Sequence, residues 1–173
     1  MTNSGLISGL GDVALAADTL INTVTGEISS GKNTAITTTH SLHNTGLVDG
    51  VNTLLRGAVL NNLGTGRIYG DVLTLAFDTL LNDKQGDKSA VIAGRQSVNI
   101  AVADLTNRDH ALIYSDGDLA IGGSLDDASV VTGRAGSVKN HSANIESGGN
   151  SHSKPVCSRI KIFICSCRTM CSR

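Results

Sequence analysis

Apolar residues recur along the chain in a pattern whose period is about twenty residues. An apolar anchor returns every 20 to 24 residues, at Ile7, Ile28, Val48, Ile68, Ile92 and Ile113. A Leu-x-Asn motif keeps the same rhythm, with its leucines at Leu20, Leu42, Leu60, Leu80 and Leu105. A fixed period of this length is the signature of a repeat protein, whose stacked units build length and surface.

Within each copy, apolar and polar residues alternate over short stretches, as in Leu73/Leu75 and Leu119/Ile121. A period of two predicts β-strands, and the Gly and Asp-Gly pairs between the stretches predict tight turns. Because equivalent residues recur in the same phase, each strand is expected to pair with its counterpart one coil away. The sequence therefore predicts an all-β parallel β-helix of about six coils of about twenty residues. A β-sandwich with coincidental spacing is the alternative.

The repeated residues have predicted places in this helix. The Ile and Leu residues are expected to stack in internal ladders. The Asn of each motif is expected at a corner, in the left-handed conformation that Asn tolerates, where side-chain amides can bond along a ladder. Copy three places Arg56 where an apolar residue is expected, and copy six is expected to lack the final Asn. Past Ser137 only a trace of the repeat is visible, in Val138, Ala143 and Ile145.

Composition supports a narrow interior and restricts the partners. Aromatic residues are 2% of the chain and there is no Trp, so the apolar content is carried by small aliphatic side chains. The net charge of −1 predicts no attraction to nucleic acid. Met1–Leu10 has neither the basic region nor the apolar run of a signal peptide, and no stretch reaches the length of a membrane span.

Cysteine and charge divide the chain into parts. Residues 1–135 are predicted to form the repeats, 136–150 a degraded final repeat or linker, and 151–173 a basic tail. The tail holds all four Cys and the only Pro, and it carries five basic residues and no acid. Three interpretations stay open: a frame-shifted or unselected tail, a small disulfide or metal module, and a basic surface-binding tail. We expect it to be disordered or irregular.

Residues 26–33 resemble a phosphate-binding loop, which would imply a nucleotide site. That motif requires Ser or Thr after the lysine, to hold Mg²⁺, whereas Asn33 follows Lys32 here. It also requires a helix to follow, and the next residues favour a strand. The segment is therefore predicted to be the ordinary start of the second copy.

Four acidic residues gather around glycines late in the chain: Asp116, Asp118, Asp126 and Asp127. Carboxylates are ligands for Ca²⁺, but neither the EF-hand spacing nor the calcium-binding nonapeptide is present. Solvated turn acids are the simpler interpretation. His40 and His43 are expected on opposite faces of a strand, too far apart to share a metal. No catalytic, cofactor-binding or metal site is predicted.

Some of the copies resemble a known family. The segments 60–62, 64–71 and 114–123 are similar to the repeats of filamentous haemagglutinin, a family of large bacterial exoproteins of two-partner secretion. The resemblance covers roughly residues 3 to 130. It implies a right-handed parallel β-helix, export through an outer-membrane two-partner secretion transporter, and display at the cell surface or secretion. Since family members are much longer, the chain is expected to be a truncated piece of shaft.

Three functions follow as expectations. The first is a non-catalytic shaft of a surface adhesin that contacts glycans or proteins of host or neighbouring cells. The second is the stalk of a contact-dependent growth-inhibition toxin. The third is a β-helical carbohydrate-active enzyme, which would show a cleft with converging acids or bases. A short shaft with open coil ends is also expected to self-associate.

Overall fold

The computed structural model describes residues 1–148 and 160–162, and these residues form strands and turns without any helix. No helix long and apolar enough to cross a membrane therefore occurs in the part described. The strands, β1 to β17 in order, are Thr2–Asn3, Leu6–Gly9, Val13–Asn22, Glu27–Ser30, Asn33–Asn44, Leu47–Asp49, Asn52–Leu63, Arg67–Gln85, Lys88–Ser89, Val91–Arg108, Leu112–Ser115, Asp118–Gly122, Ser124–Leu125, Val131–Thr132, Ser137–His141, Asn144–Ser147 and Ile160–Ile162.

The strands stack into three parallel faces, because each strand pairs with its counterpart in the next coil. Face A contains residues 6–9, 27–30, 47–49, 67–70, 91–94, 112–115 and 144–147. Face B contains 13–17, 33–38, 52–57, 72–77, 97–102, 118–122 and 160–162. Face C contains 2–3, 19–22, 41–44, 59–63, 79–82, 104–108 and 137–141. The predicted parallel β-helix of about six coils is confirmed, and the β-sandwich is excluded.

The core is built from the predicted ladders. On face A, Ile28 pairs with Val48, which pairs with Ile68, and all three are fully buried. The Leu-x-Asn leucines stack in the same way on face C, and Leu80 is also fully buried. Arg56 does not disturb this interior, since it lies on face B with its side chain exposed. Aliphatic side chains of similar size thus sit above one another at the strand spacing of about 4.8 Å.

Two hairpins extend from the coils where the period lengthens. The smaller one, Lys84–Gln85 against Lys88–Ser89, accounts for the longer step between copies four and five. The larger one occupies residues 123–136, where Ser124–Leu125 pairs antiparallel with Val131–Thr132. Val131 is buried there against the end of face B. Insertions at corners leave the stacked strands in register, because the chain resumes the next face at its expected position.

The helix continues past residue 136. Val138 pairs with Leu105, Asn140 with Asn107, and Ile145 with Ile113, so the residues predicted as a degraded repeat keep the register. The expectation that copy six lacks its Asn is wrong: Asn140 fills that position after the inserted hairpin. Ile160–Ile162 pairs with 119–121 and adds a further strand to face B. The other tail residues, including the four cysteines, lie outside the described residues.

Candidate functional site

A continuous column of asparagine side chains runs along one corner of the helix. Each side-chain amide nitrogen donates to the Oδ1 of the Asn in the next coil, across 2.8 or 2.9 Å. The members are Asn3, Asn22, Asn44, Asn62, Asn82, Asn107 and Asn140. The predicted ladder of five is confirmed and extends to seven, because Asn3 and Asn140 occupy the same position at its two ends.

The second amide proton of these residues is also used. Asn22 donates to the backbone carbonyl of Leu47 at 3.0 Å, and Asn62 donates to that of Val91 at 3.1 Å. Asn residues with both protons satisfied can stand fully buried, as these two do. The predicted left-handed conformation is wrong, since the ladder residues lie in strands and none has a positive φ. The ladder geometry follows from strand stacking, which needs no special backbone.

In two coils the ladder leaves no room for a side chain at the residue four positions later. A Cβ at Gly26 would lie 2.3 Å from Oδ1 of Asn22, and one at Gly66 would lie 2.4 Å from Oδ1 of Asn62. Such distances are far shorter than any real contact, so these two glycines cannot be replaced without moving the ladder. Ala90 and Ala111 occupy the equivalent corner in later coils. Part of the high glycine content therefore serves the Asn ladder.

The segment that resembles a phosphate-binding loop belongs to the scaffold. Gly26 lies at the corner after the ladder, and Glu27–Ser30 is a strand of face A. Asn33 opens the next strand, and its side-chain amide donates to Asp12 at 2.8 Å while its Oδ1 accepts from Asn52 at 2.9 Å. A strand follows where a helix N-terminus would be required, so the segment has no phosphate-binding geometry.

The four late acidic residues are divided between two places. Asp116 and Asp118 flank a turn between faces A and B, whereas Asp126 and Asp127 lie in the inserted hairpin. Asp126 Oδ1 accepts hydrogen bonds from the backbone N–H groups of Ala128 at 3.0 Å and Val130 at 2.8 Å. Its carboxylate therefore shapes its own turn. Within residues 1–148 and 160–162, no group of three potential metal ligands comes together.

The two neighbouring histidines contact different partners. His40 Nδ1 lies against the carboxylate of Asp18, which also accepts from Thr39. The hydrogen bond from Thr39, followed by that from His40, lowers the pKa of Asp18 below its ordinary value. His43 Nδ1 lies 3.2 Å from the amide nitrogen of Asn61 on face C. These are surface contacts between adjacent coils.

One charged cluster spans three coils at the corner between faces A and B. The Arg95 guanidinium donates to Asp49 through both terminal nitrogens, at 3.2 and 3.1 Å, and to Asp71 at 3.2 Å. The hydrogen bonds with Asp49 raise the pKa of Arg95 above its usual range. Because Arg95 is half exposed, this network contributes little to stability, about 1 kcal/mol or less per pair. Its position beside a groove makes it a candidate for recognition.

That groove holds both tyrosines of the chain. Tyr69, Ala93 and Tyr114 occupy equivalent positions in three successive coils of face A, so the small Ala93 lies between the two larger residues. We call this groove the aromatic slot; it is lined by Tyr69, Ala93, Gly94, Arg95, Tyr114 and Asp116 and has a volume of about 310 Å³. Its walls are aromatic, its floor is small and apolar, and its rim is charged.

The hydroxyl of Tyr114, at one wall of the aromatic slot, is hydrogen-bonded to a carboxylate of the rim. Tyr114 donates to Oδ1 of Asp116 at 3.1 Å. This hydrogen bond, with partial desolvation and the nearby carboxylates, raises the pKa of the Tyr114 phenol above its ordinary value. Sequence reasoning missed the slot, although both tyrosines stand one residue after the apolar anchors Ile68 and Ile113. Comparing the outward positions of the copies would have revealed the pair.

No protein-family model matches the chain, and no curated protein or solved structure matches it. The parallel β-helix rests on the register of the chain's own strands. The resemblance of residues 60–71 and 114–123 to filamentous haemagglutinin repeats stays a prediction. Adhesion, secretion and the partners implied by that resemblance are therefore matters for proposal.

Proposed function

We propose that the chain is a shaft segment of a secreted or surface-displayed bacterial adhesin of the filamentous haemagglutinin type. The observation that supports this proposal is the unbroken Asn ladder from Asn3 to Asn140. Six steps of the interstrand spacing extend it over about 29 Å. A solenoid with one continuous hydrogen-bonded column gains length by adding coils, and length is what a shaft must provide.

The outer surface supports a binding role more than a catalytic one. Most outward positions of the helix are small or polar residues. Charged groups that meet, such as Arg95 with Asp49 and Asp71 and Arg108 with Asp83, neutralise one another in part. An adhesive shaft contacts glycans or proteins of another cell through such extended surface. Export through an outer-membrane two-partner secretion transporter belongs to the same proposal.

Attachment of coated beads to cultured epithelial cells tests the proposal. Beads that carry the folded chain should bind, and free folded chain should compete for the same sites. The control is Leu80→Asp, which places a charge at a fully buried position and should unfold the helix. Binding by the unfolded variant as strong as that of the folded chain, or no binding above uncoated beads, would overturn the proposal.

The toxin stalk remains the related alternative, because a stalk needs the same helix. It predicts a different genetic setting, in which an immunity gene lies downstream of the reading frame that encodes these repeats. Finding such a gene would replace the adhesin proposal with the stalk.

A further inference from the structure

The spacing of the two tyrosines is set by the β-helix. Tyr69 pairs with Ala93 and Ala93 pairs with Tyr114, so the tyrosines are two interstrand steps apart. This separation is about 9.6 Å, and a guest centred above Ala93 is about 4.8 Å from each tyrosine. Cations interact with an aromatic face when they lie within about 6 Å of its centre. One cation can therefore contact both walls of the aromatic slot.

The charge at the rim favours a cationic guest. The Arg95 guanidinium is shared by the carboxylates of Asp49 and Asp71, and Asp116 stands on the other side of the slot. Arg95 and Asp116 line the slot itself, whereas Asp49 and Asp71 pair with Arg95 outside it. Glu146 lies beside Tyr114, so carboxylates outnumber cations among these groups. Such a site attracts a cation, repels an anion and gives an uncharged guest no electrostatic gain.

The floor of the slot selects among cations. A primary ammonium such as that of lysine carries three N–H donors, which must find acceptors when they leave water. Ala93 and Gly94 offer no side-chain acceptor, so Asp116 is the only carboxylate in the lining, and its Oδ1 is already shared with Tyr114. One carboxylate cannot satisfy all three donors. A trimethylammonium group has no donors, and its methyl groups can fill the space between the tyrosines. Its charge still faces both rings.

We propose that the aromatic slot binds a quaternary ammonium group of the choline type. Tyr69 and Tyr114 contact the methyl groups from two sides, Ala93 provides the floor, and the acidic rim supplies the attraction. The inference is independent of the adhesin proposal, because it concerns a small cation and a single groove of the isolated chain.

Tyrosine fluorescence gives a direct readout, since the chain has two tyrosines, both in the slot, and no tryptophan. Choline chloride is titrated into the full chain at constant ionic strength, against sodium chloride. The uncharged carbon isostere of choline is titrated in parallel. So is a lysine amide acetylated on its α-nitrogen, which keeps the primary ammonium of the side chain. We expect saturable binding of choline with a millimolar dissociation constant, about tenfold or more tighter than the isostere. Equal affinity for the isostere, tighter binding of the lysine probe, or no saturation would overturn the proposal.

Substitutions at the slot separate binding from folding. Ala93→Leu fills the floor while it keeps both tyrosine reporters, and it should abolish choline binding. Ala14→Leu is the matched control, because Ala14 lies outward and exposed on face B, away from the slot. Tyr69→Leu should weaken choline binding about tenfold, whereas Tyr69→Phe should retain it, since the ring face carries the interaction.

The acidic rim is tested separately. Asp116→Asn should weaken binding of choline and leave that of the uncharged isostere unchanged. Circular dichroism and thermal unfolding establish that each variant keeps the wild-type fold. Undiminished choline binding by a folded Ala93→Leu variant would contradict the assigned site.

Discussion

Asn62 donates its side-chain amide to Oδ1 of Asn82 across 2.8 Å, and both residues are fully buried. The contact lies in the middle of a column that links seven successive strands of face C through one type of side chain. Each of the five inner members accepts a hydrogen bond from one neighbour and donates to the next, so each depends on an amide that has both donor and acceptor. A carboxylate of the same shape cannot fill that role.

Asn62→Asp should therefore be strongly destabilising. The variant loses the donations to Asn82 and to the Val91 carbonyl, and it brings a buried carboxylate against the Asn82 oxygen. We expect a loss of about 3 kcal/mol or more in the free energy of unfolding. Asn61→Asp is the control, because Asn61 is half-buried beside His43 and should change stability by less than about 0.5 kcal/mol. Urea unfolding followed by circular dichroism compares them; equal losses would contradict the ladder's role.

Thr53→Val should stabilise the protein. Thr53 lies in the inner row of face B between Thr34 and Leu73, and its hydroxyl is buried without a hydrogen-bond partner in the described residues. An unsatisfied buried hydroxyl costs about 1–3 kcal/mol, and valine of similar shape removes that cost. An increase of about 1 kcal/mol is expected in urea unfolding.

Thr34→Val is the matched control in the same row. The Thr34 hydroxyl donates to the Asp49 carbonyl at 2.7 Å and lies 2.9 Å from Ser30 Oγ. Valine removes these bonds, so stability should fall by about 1 kcal/mol. If both substitutions shift stability in the same direction, hydroxyl satisfaction does not govern this row.

The Tyr114 phenol should ionise at higher pH than a free tyrosine, because it donates to the Asp116 carboxylate. A pKa raised by folding means that the contribution to stability is present below the unfolded pKa and is lost as pH rises through the folded pKa. In a Tyr69→Phe background Tyr114 is the sole tyrosine, so alkaline titration of its ultraviolet absorbance reports this group alone. Adding Asp116→Ala should lower the pKa. An unchanged titration would exclude the hydrogen bond.

The first coil should make the isolated chain self-associate. Leu6 and Leu10 are 65% and 99% exposed at the end where the face A strand Leu6–Gly9 pairs with one neighbour among the described residues. Open edges and exposed apolar side chains promote strand addition by a second chain. Sedimentation velocity should show association that rises with concentration and weakens in Leu6→Lys/Leu10→Lys. Val130→Lys, an exposed apolar position in the inserted hairpin, should behave as wild type; a monomer at every concentration would contradict the prediction.

Much of the fold was predictable because every coil of a solenoid repeats the same pattern of strands and turns. The anchors from Ile7 to Ile113 are stacked in register, as their spacing indicated. The Asn ladder was predictable for the same reason. Its ends were not, because Met1 and Val138 stand at the position two residues before Asn3 and Asn140 where the motif has Leu.

The inserted hairpin and the aromatic slot were harder to predict for a physical reason. An insertion at a corner breaks the sequence period without breaking the stack. Residues 123–136 separate Asn140 from its expected place in the sequence, although it occupies the ladder position next to Asn107. Outward positions carry no packing constraint, and their side chains vary from coil to coil. The pairing of Tyr69 with Tyr114 across two coils emerges only when the register is known.

Distances between spin labels along one outward row test the β-helix most directly. Ile21, Leu81, Thr106 and Lys139 are stacked on face C in the first, fourth, fifth and sixth coils. With the native cysteines replaced by serine, Ile21→Cys is paired in turn with a cysteine at each of the other three positions. Pulsed dipolar spectroscopy should give backbone separations of about 14, 19 and 24 Å, rising by one interstrand spacing per coil. Separations that do not rise with coil number, or a Lys139 distance out of sequence, would contradict the parallel β-helix.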